Sequence, residues 1–239
     1  MMYAKVVCVQ IILMLGYDVL FQDVDIVWYS DPLSFLQNPS TMNQDFDIYF
    51  QDDGSRQIRY APYSANSGFY YVRKNERTTY LFTALLYAGD AIKATGSHQQ
   101  VLVGLLAEHS SLFGLRIKIL DKYDDEFPGG YHYHMDRPFM KRLVDGKANA
   151  LMFHMSWTKN KDNKLKFLQQ MGDWFVEEQC IGKKAADILG KEGEVVESGA
   201  LLGSCCAAEA LVSCHYKDKP SKIPCKDSPP IDKNGPSFW

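Results

Sequence analysis

The pattern of apolar and polar positions along the chain predicts short strands that alternate with amphipathic helices. Apolar residues recur at helical spacing over residues 2–15, and Gly16 is a suitable residue to end that helix. Further helical patterns cover Glu76–Ala94, Gln99–His109 and Lys164–Val176. An alternation of this kind predicts an α/β sheet whose faces are covered by other elements.

Short apolar runs between the helical patterns predict buried strands, which are separated by turns containing Pro, Gly or Asp. The predicted strands are Val19–Phe21, Ile26–Tyr29, Phe46–Phe50, Gly68–Val72, Leu115–Leu120 and Ala150–Phe153. Residues 60–66 and 128–130 are predicted to be irregular. Because periodicity ends near residue 180, we expect one folded domain over residues 1–179 and a Cys- and Pro-rich extension over 180–239.

Two carboxylates, Asp23 and Asp25, interrupt an otherwise apolar segment between two predicted strands. Burying unpaired carboxylates costs several kcal/mol, so this position calls for a compensating charge. Divalent cations such as Mg²⁺, Mn²⁺ or Ca²⁺ prefer oxygen ligands, and in an extended segment the two side chains would share one face. The alternative is an Asp-rich turn.

Four further groups of polar residues lie next to predicted strands or helix starts, where open α/β sheets place their ligand crevice. They are Asp52-Asp53, Ala65–Gly68, Ser97–Gln100, and His154 followed by Trp157, Lys159 and Lys161. An imidazole combined with two carboxylates is a ligand set that suits Mn²⁺. Each group also has a structural interpretation: a turn, a helix cap or a core histidine.

Charge and composition restrict the classes of partner. The formal net charge is −3, and no basic stripe with interleaved aromatic residues is present, so we expect no nucleic-acid partner and no polybasic membrane contact. The longest apolar stretch, Val6–Leu15, is interrupted by Gln10 and is too short to span a bilayer.

Cysteine residues are concentrated near the C-terminus. One cysteine lies in the first helical pattern and five lie in the last quarter: Cys8, Cys180, Cys205, Cys206, Cys214 and Cys225. This density predicts disulfides and an oxidising compartment. A zinc site that includes His215 is the alternative, although adjacent Cys205 and Cys206 are poorly spaced for zinc.

The motifs, taken in order, resemble those of the nucleotide-diphospho-sugar transferase family over roughly residues 1–176. The matching segments are Gly16–Phe21 with Asp23-Val24-Asp25, Asn66–Phe69, Arg77-Thr78, Gln99 at a helix start, and His154-x-x-Trp157. The best-known members are plant and algal arabinosyl-, xylosyl- and galactosyltransferases, and Phe127–His134 with the Cys-rich tail is similar to an algal branch. The resemblance implies a Rossmann-like GT-A fold, a Mn²⁺ or Mg²⁺ cofactor and a UDP-sugar donor. It also implies transfer to a glycan or glycoprotein acceptor with retention of anomeric configuration.

The resemblance also implies roles for individual residues. Asp23, Asp25 and His154 would hold the metal, and Asp23 would also contact the donor ribose. Lys5 would contact the donor diphosphate, with Lys159 as a second candidate.

The sugar of the donor is expected to lie against a second set of residues. Asn66 and Ser67 would face the donor sugar, and the predicted catalytic residues are Asp52, Asp53 and Gln99. Asp52 or Asp53 would bind sugar hydroxyls, or act as a nucleophile if the reaction is a double displacement instead of a front-face attack. Gln99 falls where the family has Asp-Gln, and here His98 replaces that Asp.

Family members begin with a strand–helix–strand unit that cradles the nucleotide, whereas this chain starts inside the helix that follows it. We therefore expect an N-terminally shortened sequence. The full-length form would be a type II membrane protein of the Golgi lumen, and it would contact the membrane only through an anchor absent from this chain.

Two other interpretations stay open. A haloacid-dehalogenase-like phosphatase also opens with an apolar strand that runs into Asp-x-Asp, and there Asp23 would be the nucleophile and Asp25 the general acid. Such an enzyme needs a later acidic pair, but Asp52-Asp53 comes too early and Asp124-Asp125 lies in an irregular segment. The other interpretation is a shortened, non-enzymatic relative of the transferases.

Overall fold

The computed structural model describes residues 2–42, 45–182, 205–214 and 220–223, and it confirms the predicted α/β class. The helices are α1 (Met2–Met14), α2 (Leu33–Leu36), α3 (Glu76–Tyr87), α4 (Gly89–Thr95), α5 (His98–Phe113), α6 (Gly130–Met135), α7 (Arg137–Val144) and α8 (Lys161–Met171). The strands are β1 (Val19–Gln22), β2 (Ile26–Trp28), β3 (Ile48–Asp52), β4 (Ala65–Val72), β5 (Ile117–Leu120) and β6 (Met152–His154).

The chain divides into two compact units. The first comprises residues 1–131 and 149–157, and the second comprises residues 132–148 and 158–239. All of the strands named above lie in the first unit, whereas α7 and α8 lie in the second. The domain boundary expected between residues 179 and 180 stays a prediction.

The first unit is built on a four-stranded sheet and a separate two-stranded sheet. The larger sheet has the order β1-β4-β3-β5, with β4 antiparallel to both neighbours and β5 parallel to β3. Strands β2 and β6 form the smaller, antiparallel sheet. The pairing of β3 with β4 is irregular: Phe50 lies opposite Tyr70, but Asp52 lies opposite Ala65. Residues 66–69 are therefore released from regular pairing with β3, as in a β-bulge.

Side chains on opposite faces of the large sheet pack in separate clusters because successive residues of a strand alternate in direction. Ile48 and Phe50 belong to the main core, in which the sheet packs against α1, α3 and α5. Tyr49 points the other way and packs with Leu36 and Met42. The sheet is therefore covered on both faces, as the sequence predicts.

Several predicted boundaries are wrong. Strand β4 begins at Ala65, inside the segment 60–66 that was predicted to be irregular. The helix expected over Glu76–Ala94 is two helices, because Ala88 leaves the helical conformation (φ −82°, ψ 21°) between α3 and α4. The last helix begins at Lys161 because the Asn160 side chain caps it, and it ends where Gly172 adopts a left-handed conformation. Gly130 was expected in a loop but is the first residue of α6.

Helix α7 was not predicted, although its start carries a local signal. The Asp136 side chain accepts a hydrogen bond from the Phe139 backbone N–H, and Pro138 occupies the first turn. An N-cap followed by proline is typical of a helix start. The helix is only 8 residues long, so it shows too few turns for its periodicity to stand out.

The C-terminal cysteines form disulfide bonds, as the sequence predicts. Cys180 is bonded to Cys205, with Cα atoms 5.7 Å apart, and Cys214 is also disulfide-bonded. Cys8 and Cys206 carry exposed free thiols. A zinc site that uses Cys205 is wrong because a disulfide sulfur is not a thiolate; His215 and Cys225 lie outside the described residues.

None of the helices in the described part of the chain is both long enough and apolar enough to cross a membrane.

Candidate metal centre and active site

The structure brings Asp23, Asp25 and His154 together, although His154 is distant from both in sequence. One possible ligand atom from each lies within 4.8 Å of the other two. Nε2 of His154 lies 3.5 Å from Oδ1 of Asp25, and both side chains are largely buried. The register of the small sheet explains this proximity, because Ile26 lies directly opposite His154 and Asp25 precedes it. The cluster could hold a metal ion.

The Asp23–Asp25 segment is a turn, so the expectation that it is extended is wrong. The two flanking strands belong to different sheets, and the chain must change direction between them. The backbone N–H of Asp23 still donates to Gly68 in the large sheet (2.7 Å), and the carbonyl of Asp25 accepts from Met155 beside the small sheet (2.9 Å). The turn is thereby anchored at both ends, and its carboxylates converge without sharing a strand face.

A positive charge already lies against this cluster. The Lys5 ammonium group, carried by α1, forms an ion pair with Oδ1 of Asp23. The ammonium group compensates one of the two carboxylate charges, and two carboxylates with an imidazole form a ligand set for Mn²⁺. The residues present therefore fit a divalent metal. Lys5 thus lies beside the candidate metal ligand Asp23, and its predicted role at the donor diphosphate stays a prediction.

Gly68 provides the space in which the ligands meet. A Cβ atom at this position would lie 2.7 Å from Cε1 of His154 and 2.9 Å from Oδ2 of Asp23. Both distances are shorter than any normal contact, so a side chain at residue 68 would displace the ligands. This glycine was predicted only as part of a small, polar segment before a strand.

The imidazole of His154 is fixed by a residue that the sequence analysis missed. Nδ1 of His154 lies 2.7 Å from Oε1 of Gln51, and both residues are buried. Gln51 is a polar residue within an otherwise apolar strand, and this exception to the pattern could have indicated a functional side chain. Its side chain joins β3 to the strand that carries the histidine.

A second group of predicted residues surrounds Asp53. Nδ2 of Asn66 donates to Oδ1 of Asp53 (3.1 Å), and Oδ1 of Asn66 accepts from the Gly68 backbone N–H (2.7 Å). Oε1 of Gln99 accepts from both the N–H and the hydroxyl of Ser67, each at 3.1 Å. Burial raises the pKa of Asp53 against the opposing hydrogen bonds from Gln99 and Trp157. The structure thus links four of the predicted sugar-facing residues in one network.

Asp52 points elsewhere, although it is adjacent to Asp53. Both of its carboxylate oxygens accept from the Arg56 guanidinium group (3.0 and 2.8 Å), and Oδ1 also accepts from the Gly54 N–H. Burial alone would raise the pKa of Asp52, but these hydrogen bonds outweigh burial and lower it. The residue lines a cleft of about 350 Å³ with Arg56 and Tyr60. The geometry therefore separates the two predicted carboxylates: Asp53 joins the network of Asn66, Ser67 and Gln99, whereas Asp52 pairs with Arg56.

Trp157 and His98 are further residues near the cluster. Trp157 has a φ of 61°, which is rare for a bulky residue, and its ring packs edge-on against Tyr131 at 5.8 Å. Burial, followed by the charge of Lys5, lowers the pKa of His98 to about 4, so its imidazole is neutral at physiological pH. Lys159 is exposed in the second unit, and its predicted role at the diphosphate stays a prediction.

Comparisons with known proteins address the family. The sequence profile described as nucleotide-diphospho-sugar transferase matches residues 1–168. A UDP-galactose:fucoside alpha-3-galactosyltransferase from Dictyostelium discoideum is 30% identical over 138 residues, covering 49% of this chain and 20% of that protein. A beta-arabinofuranosyltransferase from Arabidopsis thaliana is 27% identical, covering 68% of this chain and 32% of that protein.

A third relative is a UDP-D-xylose:L-fucose alpha-1,3-D-xylosyltransferase from Arabidopsis thaliana, 24% identical, with 71% of this chain and 46% of that protein covered. The chain thus spans less than half the length of each of these three relatives. No solved structure is significantly similar to the chain. The profile match and the mixed sheet with its surrounding helices agree with the expected GT-A-like fold. This chain belongs to the nucleotide-diphospho-sugar transferase family.

Proposed function

We propose that this protein is a metal-dependent glycosyltransferase that moves a sugar from a UDP-sugar to a glycan or glycoprotein acceptor, with retention of anomeric configuration. The observation that carries the proposal is the convergence of Asp23, Asp25 and His154 beside the network of Asp53. A metal-ligand set next to buried hydroxyl-binding groups suits a donor that carries both a diphosphate and a sugar. The family assignment places the chain among transferases and not among the phosphatases considered as an alternative.

Each residue of the centre has a defined task in this proposal. Asp23, Asp25 and His154 would hold Mn²⁺ or Mg²⁺, which would supply Lewis-acid stabilisation of the negative charge on the leaving UDP. Lys5 lies on Asp23 and adds a second positive charge for the diphosphate. Asp23 also accepts from the donor ribose.

The sugar-binding side of the centre is assigned to the buried network. Asp53 accepts hydrogen bonds from the sugar hydroxyls, Asn66 donates to them, and Ser67 holds the Gln99 carboxamide in one orientation. The Asp52 carboxylate is engaged by Arg56, so Asp53 and Gln99 are the better candidates to contact the reacting sugar. Because these groups are buried and mutually bonded, they are oriented before the donor arrives.

We also propose that the protein works in the Golgi lumen. The Cys180–Cys205 disulfide supports this location because disulfides form and persist in oxidising compartments.

The test is manganese binding and UDP-sugar hydrolysis by the purified chain. Calorimetry with Mn²⁺ should give saturable binding, and the Asp25→Asn and His154→Ala variants should lose more than about 100-fold in affinity, since removing only an outer partner of a ligand costs about 10–100-fold. Asp90→Asn, which changes an exposed carboxylate on α4, is the matched control and should bind like the wild type.

The second measurement is turnover without an acceptor. We expect manganese-dependent release of UDP and free sugar from at least one UDP-sugar in a panel, with no inorganic phosphate. Asn66→Ala should reduce turnover more than UDP affinity, because Asn66 is assigned to the sugar. If neither UDP binding nor UDP release is observed, the non-enzymatic interpretation replaces this proposal.

A further inference from the structure

The carboxamide of Gln51 is hydrogen-bonded at both ends. Nε2 donates to the backbone carbonyls of Phe127 (2.9 Å) and Pro128 (3.0 Å), and Oε1 lies 2.7 Å from Nδ1 of His154. Gln51 is only 2% exposed, and so is His154. The side chain therefore links β3, the segment 127–128 and β6 through buried contacts.

These contacts allow only one orientation of the carboxamide. If the group were flipped, Oε1 would face two carbonyl oxygens, and three acceptors would then be buried together without a proton. With Nε2 on the carbonyls, Oε1 is an acceptor only, so the group that faces it must be a donor. That donor is Nδ1–H of His154.

The second nitrogen of the imidazole is thereby defined. In a neutral ring with its hydrogen on Nδ1, Nε2 carries the free lone pair, and this is the atom 3.5 Å from Oδ1 of Asp25. We propose that Gln51 is a positioning residue that holds His154 as the Nδ1–H tautomer and directs the Nε2 lone pair at the metal position. The tautomer is a property of the metal-free protein, whereas its use for metal binding rests on the function proposed above.

The neighbouring segment 128–129 supports this orientation of the Gln51 carboxamide. A Cβ atom at Gly129 would lie 2.9 Å from Nε2 of Gln51 and 3.3 Å from the His154 carbonyl, so glycine is needed there. The His154 backbone N–H also donates to the Pro128 carbonyl (3.2 Å). The same short segment thus fixes both the backbone of the histidine and the glutamine that orients its ring.

The test compares Gln51→Met with the wild type. Methionine keeps the length and volume of the side chain but cannot accept a hydrogen bond of useful strength from Nδ1–H. Long-range ¹H–¹⁵N correlation spectra of the metal-free wild type should show His154 protonated on Nδ1 and unprotonated on Nε2. In the variant this pattern should be lost, and the Mn²⁺ affinity measured by calorimetry should fall about 10–100-fold.

Two further variants keep the test decisive. Gln10→Met removes another buried glutamine, which donates from α1 to Thr83 at 2.8 Å, and it should change neither the tautomer nor the affinity. Gln51→Glu retains an acceptor for Nδ1–H and, protonated on its other oxygen, a donor for the backbone carbonyls, so it should keep the tautomer and lose less affinity than Gln51→Met. A variant that merely damaged the fold would give no such rescue.

The possible failures are distinguishable. If wild-type His154 carries its hydrogen on Nε2, or if Gln51→Met keeps both the tautomer and the Mn²⁺ affinity of the wild type, this inference is overturned. If the tautomer depends on Gln51 but the wild type binds no Mn²⁺, the positioning of the ring stands and the proposed metal-dependent function fails.

Discussion

Strand β3 has a buried aspartate at each end, and the two are stabilised in opposite ways. Asp47 precedes the strand and is 2% exposed, whereas Asp53 follows it and is 9% exposed. The pKa of Asp47 is lowered and that of Asp53 is raised. Since the residue type and the strand are the same, the difference lies in the groups that surround each carboxylate.

At the first end, arginine side chains compensate the charge. Oδ2 of Asp47 accepts from Nε of Arg77 (2.8 Å) and from the Arg116 backbone N–H (2.9 Å), and Oδ1 accepts from Nη2 of Arg77 (2.7 Å) and from Asn75 (2.9 Å). Burial alone would raise the pKa, but these interactions outweigh it. This end is a structural junction between β3, α3 and β5.

At the other end, the donors that contact Asp53 are neutral. They are the side chains of Asn66, Gln99 and Trp157, and burial outweighs them. A carboxylate that is buried without full compensation costs stability, and such groups concentrate at functional sites. The arginine pairs therefore give Asp47 a structural role at the first end of β3, whereas the incomplete compensation of Asp53 supports the role at the sugar proposed above for the second end.

The largest expected effect is on stability, from Asp47→Ala. This substitution removes the buried acceptor of the Arg116 backbone N–H, the Asn75 amide and the partly exposed Arg77 guanidinium group, so the free energy of unfolding should fall by about 3 kcal/mol. Urea unfolding measures the loss, with Asp145→Ala as the control, since that carboxylate pairs with the exposed Lys141 and Lys147 and its loss should cost less than about 1 kcal/mol. A loss below about 1 kcal/mol for Asp47→Ala would remove the distinction between the two ends.

The complementary substitution, Asp53→Asn, should lower the activity without lowering the stability. It removes a poorly compensated buried charge, so the melting temperature should stay the same or rise. Turnover of a UDP-sugar should fall about 100-fold, because a preorganised charge beside the sugar is lost. Steady-state kinetics and thermal melts on one preparation give both values. A destabilised but fully active variant would place Asp53 with Asp47 as a structural residue.

A pH dependence should arise at the functional end from His98. Its pKa is lowered to about 4 by burial and by Lys5, against an ordinary value of 6.5, so between these values the unfolded chain binds the proton and the folded chain does not. Stability should therefore fall as pH decreases through this window, by about 2 kcal/mol at pH 5 from this residue. Urea midpoints at pH 7.5 and pH 5 should differ less in His98→Gln than in the wild type. An unchanged difference would show that His98 does not titrate in this way.

The smallest effect is expected from Arg56→Ala, which tests whether Asp52, the neighbour of Asp53, contributes to turnover. The Arg56 side chain is 57% exposed, so its ion pair with Asp52 should contribute less than about 1 kcal/mol. Turnover should remain within about twofold of the wild type, as expected for a surface pair. If turnover instead falls as far as in Asp53→Asn, both carboxylates belong to the catalytic centre.

Much of the centre could be anticipated from the order of motifs along the chain. Asp23, Asp25 and His154 each adjoin a short apolar run, and the carboxyl ends of such runs converge in α/β sheets. The same logic brought Asn66 and Gln99 into consideration. The central parts of α1, α3 and α5 were predicted from the helical spacing of their apolar residues.

The rest depended on tertiary geometry that has no local pattern. The register shift between Phe50 and Asp52 frees residues 66–69 to approach the candidate metal ligands. The alternation of apolar and polar residues gives no sign of this shift. The positioning role proposed for Gln51 depends on its contacts with residues 127 and 154, which are distant in sequence. The separation of Asp52 from Asp53 depends on Arg56 in the following turn.

The small β2–β6 sheet has a consequence for the motions of the protein. Two strands alone are marginally stable, and this pair is only 3 residues long on each side, whereas β4 is paired along both of its edges. Local opening of the pair would release Asp25 and His154 together while Asp23 stays anchored to Gly68 of the large sheet. A cation bound by all three residues would link the two sheets and oppose this local opening. Amide hydrogen exchange in Ile26–Trp28 and Met152–His154 should therefore slow on adding Mn²⁺, while exchange in β4 stays unchanged.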